Sequence, residues 1–320
     1  MGCLASVIVT SYNQENTIRQ TLESILKQDC LFEFEIIIAD DCSTDKTQTI
    51  AQEYYEKFPK IFVLDYKTEN LGVGSNWALS VEKAKGEFIF TCAADDFWHD
   101  TRKLQLQVEY MINHKACGLL YSDYDVLDSS KKKNTRSYLT KTKSNTLSGI
   151  NLMQAIFSGK VPILTLTTCF RKSLFDSYIP VNDYVRFRFP LEDWPTFLIL
   201  SKYTQIDYLP ISLATYRKGH DSISNPSTFE KMQKKFHHEH TMYRYLCDRF
   251  RDELVYNEND YLNYQDSSFL SLCFKKKSFE KAHFYAQQLH KRKFYNLKTR
   301  VAHFRVLFYV YCFYQNFKDY

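Results

Sequence analysis

Up to residue 121, short apolar runs alternate with stretches whose apolar residues recur at helical spacing. Leu4 to Val9 is a β-branched apolar run, the pattern of a strand buried on both faces. NQENTIRQTLESILKQ then sets Ile18, Leu22, Ile25 and Leu26 on one helical face. Phe34 to Ala39 predicts a second strand, and CSTDKTQTIAQEYYEKF a second helix with Ser43 or Thr44 as N-cap. Ile61 to Leu64 predicts a third strand, followed by a helix over GSNWALSVEKAK that Gly86 would end. Phe88 to Cys92 and Cys117 to Tyr121 read as further strands. Between them Leu104, Val108, Met111 and Ile112 mark a helix beginning near Thr101. This alternation predicts βαβ units: an α/β fold with a mainly parallel, Rossmann-like sheet and helices on both faces. Residues 1 to about 125 form the expected nucleotide-binding half.

Beyond that point the pattern changes. LDSSKKKNTRS is a polar, basic loop, and residues 160 to 217 mix short strands with a helix near 191 to 201. From about 228 the pattern is helical to the end, rich in Tyr, Phe and Lys. SNPST near residue 225 is a candidate linker. The expected domains are therefore 1–225, with an acceptor half over about 126–225, and a helical extension over 226–320.

Composition narrows the class without choosing a function. The chain of 320 residues is 44% hydrophobic and 25% charged, which excludes a disordered or low-complexity protein. No apolar stretch approaches the ~18 residues a spanning helix needs, and MGCLASVIVTSYN lacks the basic start of a secretory leader. The apolar strand beginning at once disfavours a myristoylation reading of Met-Gly. The nine cysteines form no CxxC pair and no metal-ligand spacing, as expected of core thiols in a reducing cytosol. Net charge is +5, unevenly spread: residues 231–320 hold 17 Lys and Arg against 9 Asp and Glu. That basic surface is either simply solvated or attracted to an anionic one.

The chemistry lies where strands end. In open parallel sheets ligands bind beyond the carboxyl ends of the strands. Here those ends carry Thr10, Ser11, Tyr12 and Asn13, then Asp40 and Asp41, then Asp95 and Asp96. A strand-end acid is often only a helix cap, but several on one edge point to a site. Two adjacent carboxylates repel, and a divalent cation relieves the conflict. Mg²⁺ or Mn²⁺ suits an all-oxygen site and is commonly shared with substrate phosphates. No GxxxxGK[ST] and no GxGxxG follows the first strand, so neither a P-loop nor a dinucleotide cradle is expected.

SVIVTSYNQENTIRQTLESILKQ, FEIIIADDCSTDKT, ENLGVGSNWALSVEKAKGEFIFTCAADDFW, PLEDWP and LATYRKGHDSIS together resemble family 2 glycosyltransferases of the GT-A fold, over roughly residues 4 to 225. The resemblance implies inverting transfer of a sugar from a nucleotide-sugar donor to the hydroxyl of a growing or lipid-linked glycan, in bacterial surface-polysaccharide synthesis. It implies nucleobase contacts from Thr10, Tyr12 and Asp41, with uracil or thymine preferred, and Asn13 is a further candidate nucleotide-binding residue. Asp95 would face the ribose and Asp96 would ligate the metal, forming the DXD motif; Ala93 stands where the commonest form has a third acid. Asp193, after Glu192, would be the general base, removing the acceptor proton opposite the leaving group; the structural alternative is a helix N-terminal charge favoured by the dipole. His220 is a candidate metal ligand or phosphate contact, and Arg217 a diphosphate clamp. Trp98 and Glu192 are candidate donor or acceptor contacts. Asn70 and Asn76 would line the nucleotide pocket, with Gly72 and Gly74 allowing a turn.

KTRVAHFRVLFYVYCFYQNF is uncharged from Val306 to Tyr314, too short to span a bilayer. It would pack on a domain or in a homodimer, or lie in an anionic interface with Lys298, Arg300 and Arg305 facing lipid. The expected location is therefore cytoplasmic, at most peripheral to the inner membrane face, with no nucleic-acid partner. Two other readings compete. A sugar nucleotidyltransferase needs a Gly-rich basic loop that TSYNQEN does not supply. A degenerate, non-catalytic scaffold is favoured only by Ala93.

Overall fold

The computed structural model describes residues 3–128, 133–139, 149–218 and 226–318. It divides into two compact units, Met1–Lys218 and Gly219–Tyr320.

The first unit is a nine-stranded mixed sheet with helices packed on it. β1 (Ala5–Ser11), β2 (Phe34–Asp40), β3 (Phe62–Tyr66) and β4 (Phe88–Ala93) alternate with α1 (Ile18–Leu26), α2 (Thr47–Lys57) and α3 (Val73–Glu82). These four strands are parallel, in the order β3-β2-β1-β4. β1 and the last six residues of β2 are buried residue by residue, as their continuous apolar runs require. β5 (Phe97–Trp98) and α4 (Lys103–Asn113) lead to β6 (Cys117–Asp128) and the short β7 (Lys133–Thr135). Then come α5 (Gly149–Phe157), β8 (Thr168–Arg171), α6 (Lys172–Tyr178), α7 (Val181–Arg186), α8 (Asp193–Tyr203) and β9 (Gln205–Lys218). β8 inserts antiparallel between β4 and β6, and β9 runs parallel to β6 along almost its whole length. β5 closes the edge, antiparallel to β9.

Local expectations fail where tertiary contact overrides them. Neither Ser43 nor Thr44 caps α2: the helix starts at Thr47 without a side-chain cap, and the Ser43 hydroxyl donates to Asp40 instead, at 2.5 Å. Gly86 does not end α3, which stops at Glu82. A Cβ on Gly86 would lie 2.5 Å from the backbone of Ala5 and Ser6, so glycine permits β1 to pass close by. Gly72 has φ 87°, a turn geometry that favours glycine, whereas Gly74 lies inside α3 against the Phe189 carbonyl.

Lys103 is fully buried in this unit. Its ammonium lies over the rings of Phe90 and Trp98, at 5.4 and 5.1 Å, and donates to Gln107. Burial pulls its pKa down to about 7.

The second unit is helical among the described residues: α9 (Phe229–Arg249), α10 (Glu258–Lys275), α11 (Phe279–Lys291), α12 (Leu297–Val301) and α13 (Arg305–Lys318). Thr228 and Asn257 cap α9 and α10 through their side chains, and Asn296 forms a reciprocal capping box with Thr299 on α12. Its core joins Leu270, Phe274, Ala282, Leu289, Phe308 and Cys312. Among the described residues no helix is long and apolar enough to cross a membrane.

Candidate active site

The parallel register carries Thr10 beside Ala39 on one side and Ala93 on the other. The segments after β1, β2 and β4 therefore leave the sheet at one edge. Asn13 adopts φ 55°, a left-handed conformation that Asn tolerates. Its Oδ1 accepts the Thr44 N–H at 2.8 Å, and its own N–H donates to Ser43 Oγ at 2.8 Å. Asp40 is fully buried and accepts from Ser11 Oγ, Ser43 N–H and Gln48 Nε2, which makes it a strut for these loops. Thr10 is buried at the strand end, and Tyr12 stands 46% exposed above it, free to lie beside a planar ring.

Asp41 is 3% exposed, with its two oxygens accepting the N–H groups of Leu71 and Gly72 at 2.8 and 2.9 Å. Burial raises its pKa, and those two hydrogen bonds oppose the rise. Asp41 thus holds the 70–72 turn, and Asn70 reaches back to the Asp41 carbonyl at 3.3 Å. Asn76 does not line an open pocket. It is 1% exposed, and its amide donates to the Ala39 carbonyl, fastening α3 beneath the end of β2. A cavity of about 370 Å³ lies beside the same turn, lined by Asp65, Lys67, Glu69, Leu71 and Lys83. None of the paired acids lines it.

The paired acids meet elsewhere. Asp96 is buried, and its Oδ1 accepts the Arg217 N–H at 2.8 Å, so the end of β9 is tied to the end of β4. Burial pushes the Asp96 carboxyl well above the usual range, Asp95 pushes it further, and Glu192 adds to the effect. Burial and then Asp193 push Glu192 up to about 7, with Asp95 contributing. Asp193 is also raised, by burial, while the Trp194 N–H at 2.6 Å on its Oδ1 holds it down. Four carboxylates from two chain segments about a hundred residues apart thus share one field. Tyr216, next to Arg217, is raised by burial and then by Asp96, Asp95 and Asp193.

Arg217 lies with its guanidinium 5.0 Å over the Phe97 ring and donates one Nη to Gln20. Its Nε is buried with no acceptor among the described residues. A buried guanidinium N–H lacking an acceptor beside two carboxylates is suited to an anionic group, such as a phosphate, bound at the same place. Among the described residues no three His, Cys, Asp or Glu side chains converge as a complete metal cage. Mg²⁺ bound through one or two carboxylates, with phosphate oxygens and water supplying the rest, fits this donor set. His220 lies outside the described residues.

Trp98 is not a ligand contact. It is 3% exposed in the hydrophobic core, where its ring meets Phe90 at 6.0 Å. It forms the two-residue strand β5, too short to leave a periodic signal. Glu192 is also turned inward, accepting Thr165 Oγ1 at 3.0 Å.

Thr21 and Thr165 escape a motif-based reading. The Thr21 hydroxyl bonds the carbonyls of Ala94 and Asp96, at 3.0 and 2.6 Å, and so fixes the loop bearing the acid pair. Its signal is present: Thr21 is the polar member of the buried α1 face made by Ile18, Leu22 and Ile25. Thr165 carries no comparable signal.

Comparison with known proteins adds a family to this geometry. The sequence matches the model of glycosyl transferase family 2 over residues 6–175. The putative teichuronic acid biosynthesis glycosyltransferase TuaG of Bacillus subtilis is 36% identical over 124 residues, 39% of this chain and 48% of TuaG. An uncharacterised protein of Mycobacterium tuberculosis is 37% identical over 122 residues, 38% of this chain and 35% of that one. The matched region thus spans less than half of either relative. The 1–349 fragment of TarS from Staphylococcus aureus, solved with UDP-GlcNAc, gives a TM-score of 0.53 at 19% identity, covering 91% of this chain and 93% of that one. The mannosyltransferase PcManGT of Pyrobaculum calidifontis, solved with GDP-Man and Mn²⁺, gives 0.53 at 14% identity, covering 98% and 87%. Likeness at such identity establishes a common fold.

Proposed function

Because this chain belongs to glycosyltransferase family 2 and has the GT-A fold, we propose that it is an inverting transferase that uses a nucleotide-diphosphate sugar, with UDP as the favoured nucleotide. The acceptor is a hydroxyl of a growing or lipid-linked glycan of a bacterial surface polysaccharide, a reading supported by the name of TuaG. The observation that carries it is the shared field of Asp95 and Asp96 with Glu192 and Asp193. Such an arrangement supports a diphosphate site next to a base.

In this reading Thr10, Tyr12 and Asn13 bound the nucleobase site, and Asp41 shapes it through the turn at Leu71 and Gly72. Asp95 faces the ribose, and Asp96, with Arg217, faces the diphosphate. A bound Mg²⁺ or Mn²⁺ supplies positive charge for the departing diphosphate. Asp193 Oδ1 is engaged by the Trp194 N–H. Oδ2 is the oxygen assigned to the acceptor proton. The acceptor oxygen bonds to the anomeric carbon, the carbon–phosphate-oxygen bond opposite it breaks, and the acceptor proton passes to Asp193. A base with a raised pKa holds that proton better than an ordinary aspartate. Glu192, held by Thr165, positions Asp193 rather than touching substrate.

The test is calorimetric titration with UDP, dTDP and GDP, each with Mn²⁺ and with EDTA. Metal-dependent binding of one nucleotide, abolished in Asp96→Ala, is expected. A folded protein that binds none of them would move the reading to a non-catalytic scaffold.

A further inference from the structure

The last helix has two apolar faces, and one of them enters the core of the second unit. Phe308 and Cys312 point into the core of the second unit, where Phe308 packs 4.6 Å from Phe274 and 5.6 Å from Phe279, ring to ring. At 100° per residue, Val306, Leu307, Val310, Phe313 and Tyr314 fall on the opposite arc. They are 75%, 50%, 60%, 66% and 55% exposed. No charged residue interrupts the sequence between Arg305 and Lys318. An ordinary amphipathic helix would turn a polar face to water here. Instead a continuous apolar strip stands on the outside, and Phe304, just before the helix, is exposed as well.

The surrounding charge selects what covers it. From Lys275 to Lys318 there are eleven Lys and Arg and a single acid, Glu280. Lys275, Lys276, Lys277, Lys281, Arg300 and Arg305 are among the exposed ones. A second copy docked through α13 would bring two such cationic segments together, and like charges across an interface oppose association. An anionic lipid surface satisfies both features: headgroups meet the cations while the strip enters the acyl boundary. The helix covers 14 residues, about 21 Å in length, so it lies in the surface and does not cross it.

We propose that the outer face of α13 is a docking surface for an anionic lipid bilayer. This stands independently of the transferase reading, because it uses no residue of the first unit.

Co-sedimentation of the full chain with vesicles tests it. Vesicles containing equal parts phosphatidylglycerol and phosphatidylcholine should pellet the protein. Pure phosphatidylcholine, or added salt near ~0.5 M, should weaken binding about tenfold or more. The double variant Val306→Glu, Val310→Glu should lose about tenfold in partitioning while its thermal melting and nucleotide titration stay unchanged. Both positions are exposed, so folding is not at stake. Equal pelleting of variant and parent would overturn the proposal. So would a parent that ignores anionic vesicles and forms a dimer that the variant dissolves, since the strip would then be a self-association face. Vesicle binding without nucleotide binding would sink the transferase reading alone.

Discussion

At the scale of residues, the candidate site was legible where chemistry forces an uncomfortable choice and hidden where it does not. Asp95 and Asp96 draw attention because adjacent carboxylates repel; in the structure burial raises the Asp96 carboxyl first, and Asp95 adds to the rise. Trp98 misled because an aromatic beside an acid pair looks like a binding surface, yet it is core. The sharpest test at this scale is Asp193→Asn. Its shape is preserved and its basicity removed, so kcat should fall about 10²- to 10⁴-fold while nucleotide affinity is nearly unchanged. Steady-state kinetics beside calorimetry would measure the split, and a fully active variant would move the base elsewhere. Lys103 offers a second test, of stability. Its folded pKa of about 7 lies below the ordinary lysine value of 10.5, so between those limits the unfolded chain binds more protons. Stability should therefore rise with pH across that window, by up to ~1.4 kcal/mol per pH unit, and flatten below it. Urea unfolding at pH 7, 8 and 9 should show that slope in the parent and lose it in Lys103→Met.

At the scale of elements, hydrophobic period read the first half of the chain well, because β1, β2 and β4 are buried on both faces and their apolar runs are continuous. It read the second half poorly. β6 extends to Asp128 and β9 covers 14 residues, and both carry polar residues among the apolar ones. Pairing with each other, more than pattern, determines their length. β5 and the close passage at Gly86 are tertiary events with no local period at all. Contacts between helices likewise create chemistry that one sequence does not announce. His303 Nε2 lies 2.9 Å from His290 Nδ1, and the His283 ring centroid is 5.3 Å from that of His303. Burial first, then His290 and His283, lower the His303 pKa. A depressed imidazole favours the fold when neutral, so its contribution is present above the unfolded value near 6.5 and is lost as pH falls through it. Melting of the helical unit should therefore weaken from pH 7 to 5.5, and His303→Gln should make that decline shallower. Circular dichroism melts at three pH values would decide, and an unchanged slope would place the acid sensitivity in another group.

At the scale of the whole molecule, two compact units with separate cores should answer ligands separately. Apart from His220, which lies outside the described residues, every residue assigned to the donor lies in the first unit, and all the residues of the lipid-docking strip lie in the second. A ligand that binds the native state alone stabilises it by RT ln(1 + [L]/Kd), about 2.7 kcal/mol at a hundredfold excess over Kd. For a unit of roughly 200 residues each kcal/mol moves the midpoint ~2–4 °C, so UDP with Mn²⁺ should raise the first unit's transition by about 5–10 °C. EDTA should abolish the rise if Asp96 acts through a cation. The second unit's transition should stay where it was, because none of its groups touches the ligand in this scheme. Differential scanning calorimetry of the full chain resolves both events in one experiment. A nucleotide shift confined to one transition would show that the units are thermodynamically independent. An equal shift of both would mean that the helical unit senses the donor site, and that lipid docking and catalysis are coupled rather than merely carried on one chain.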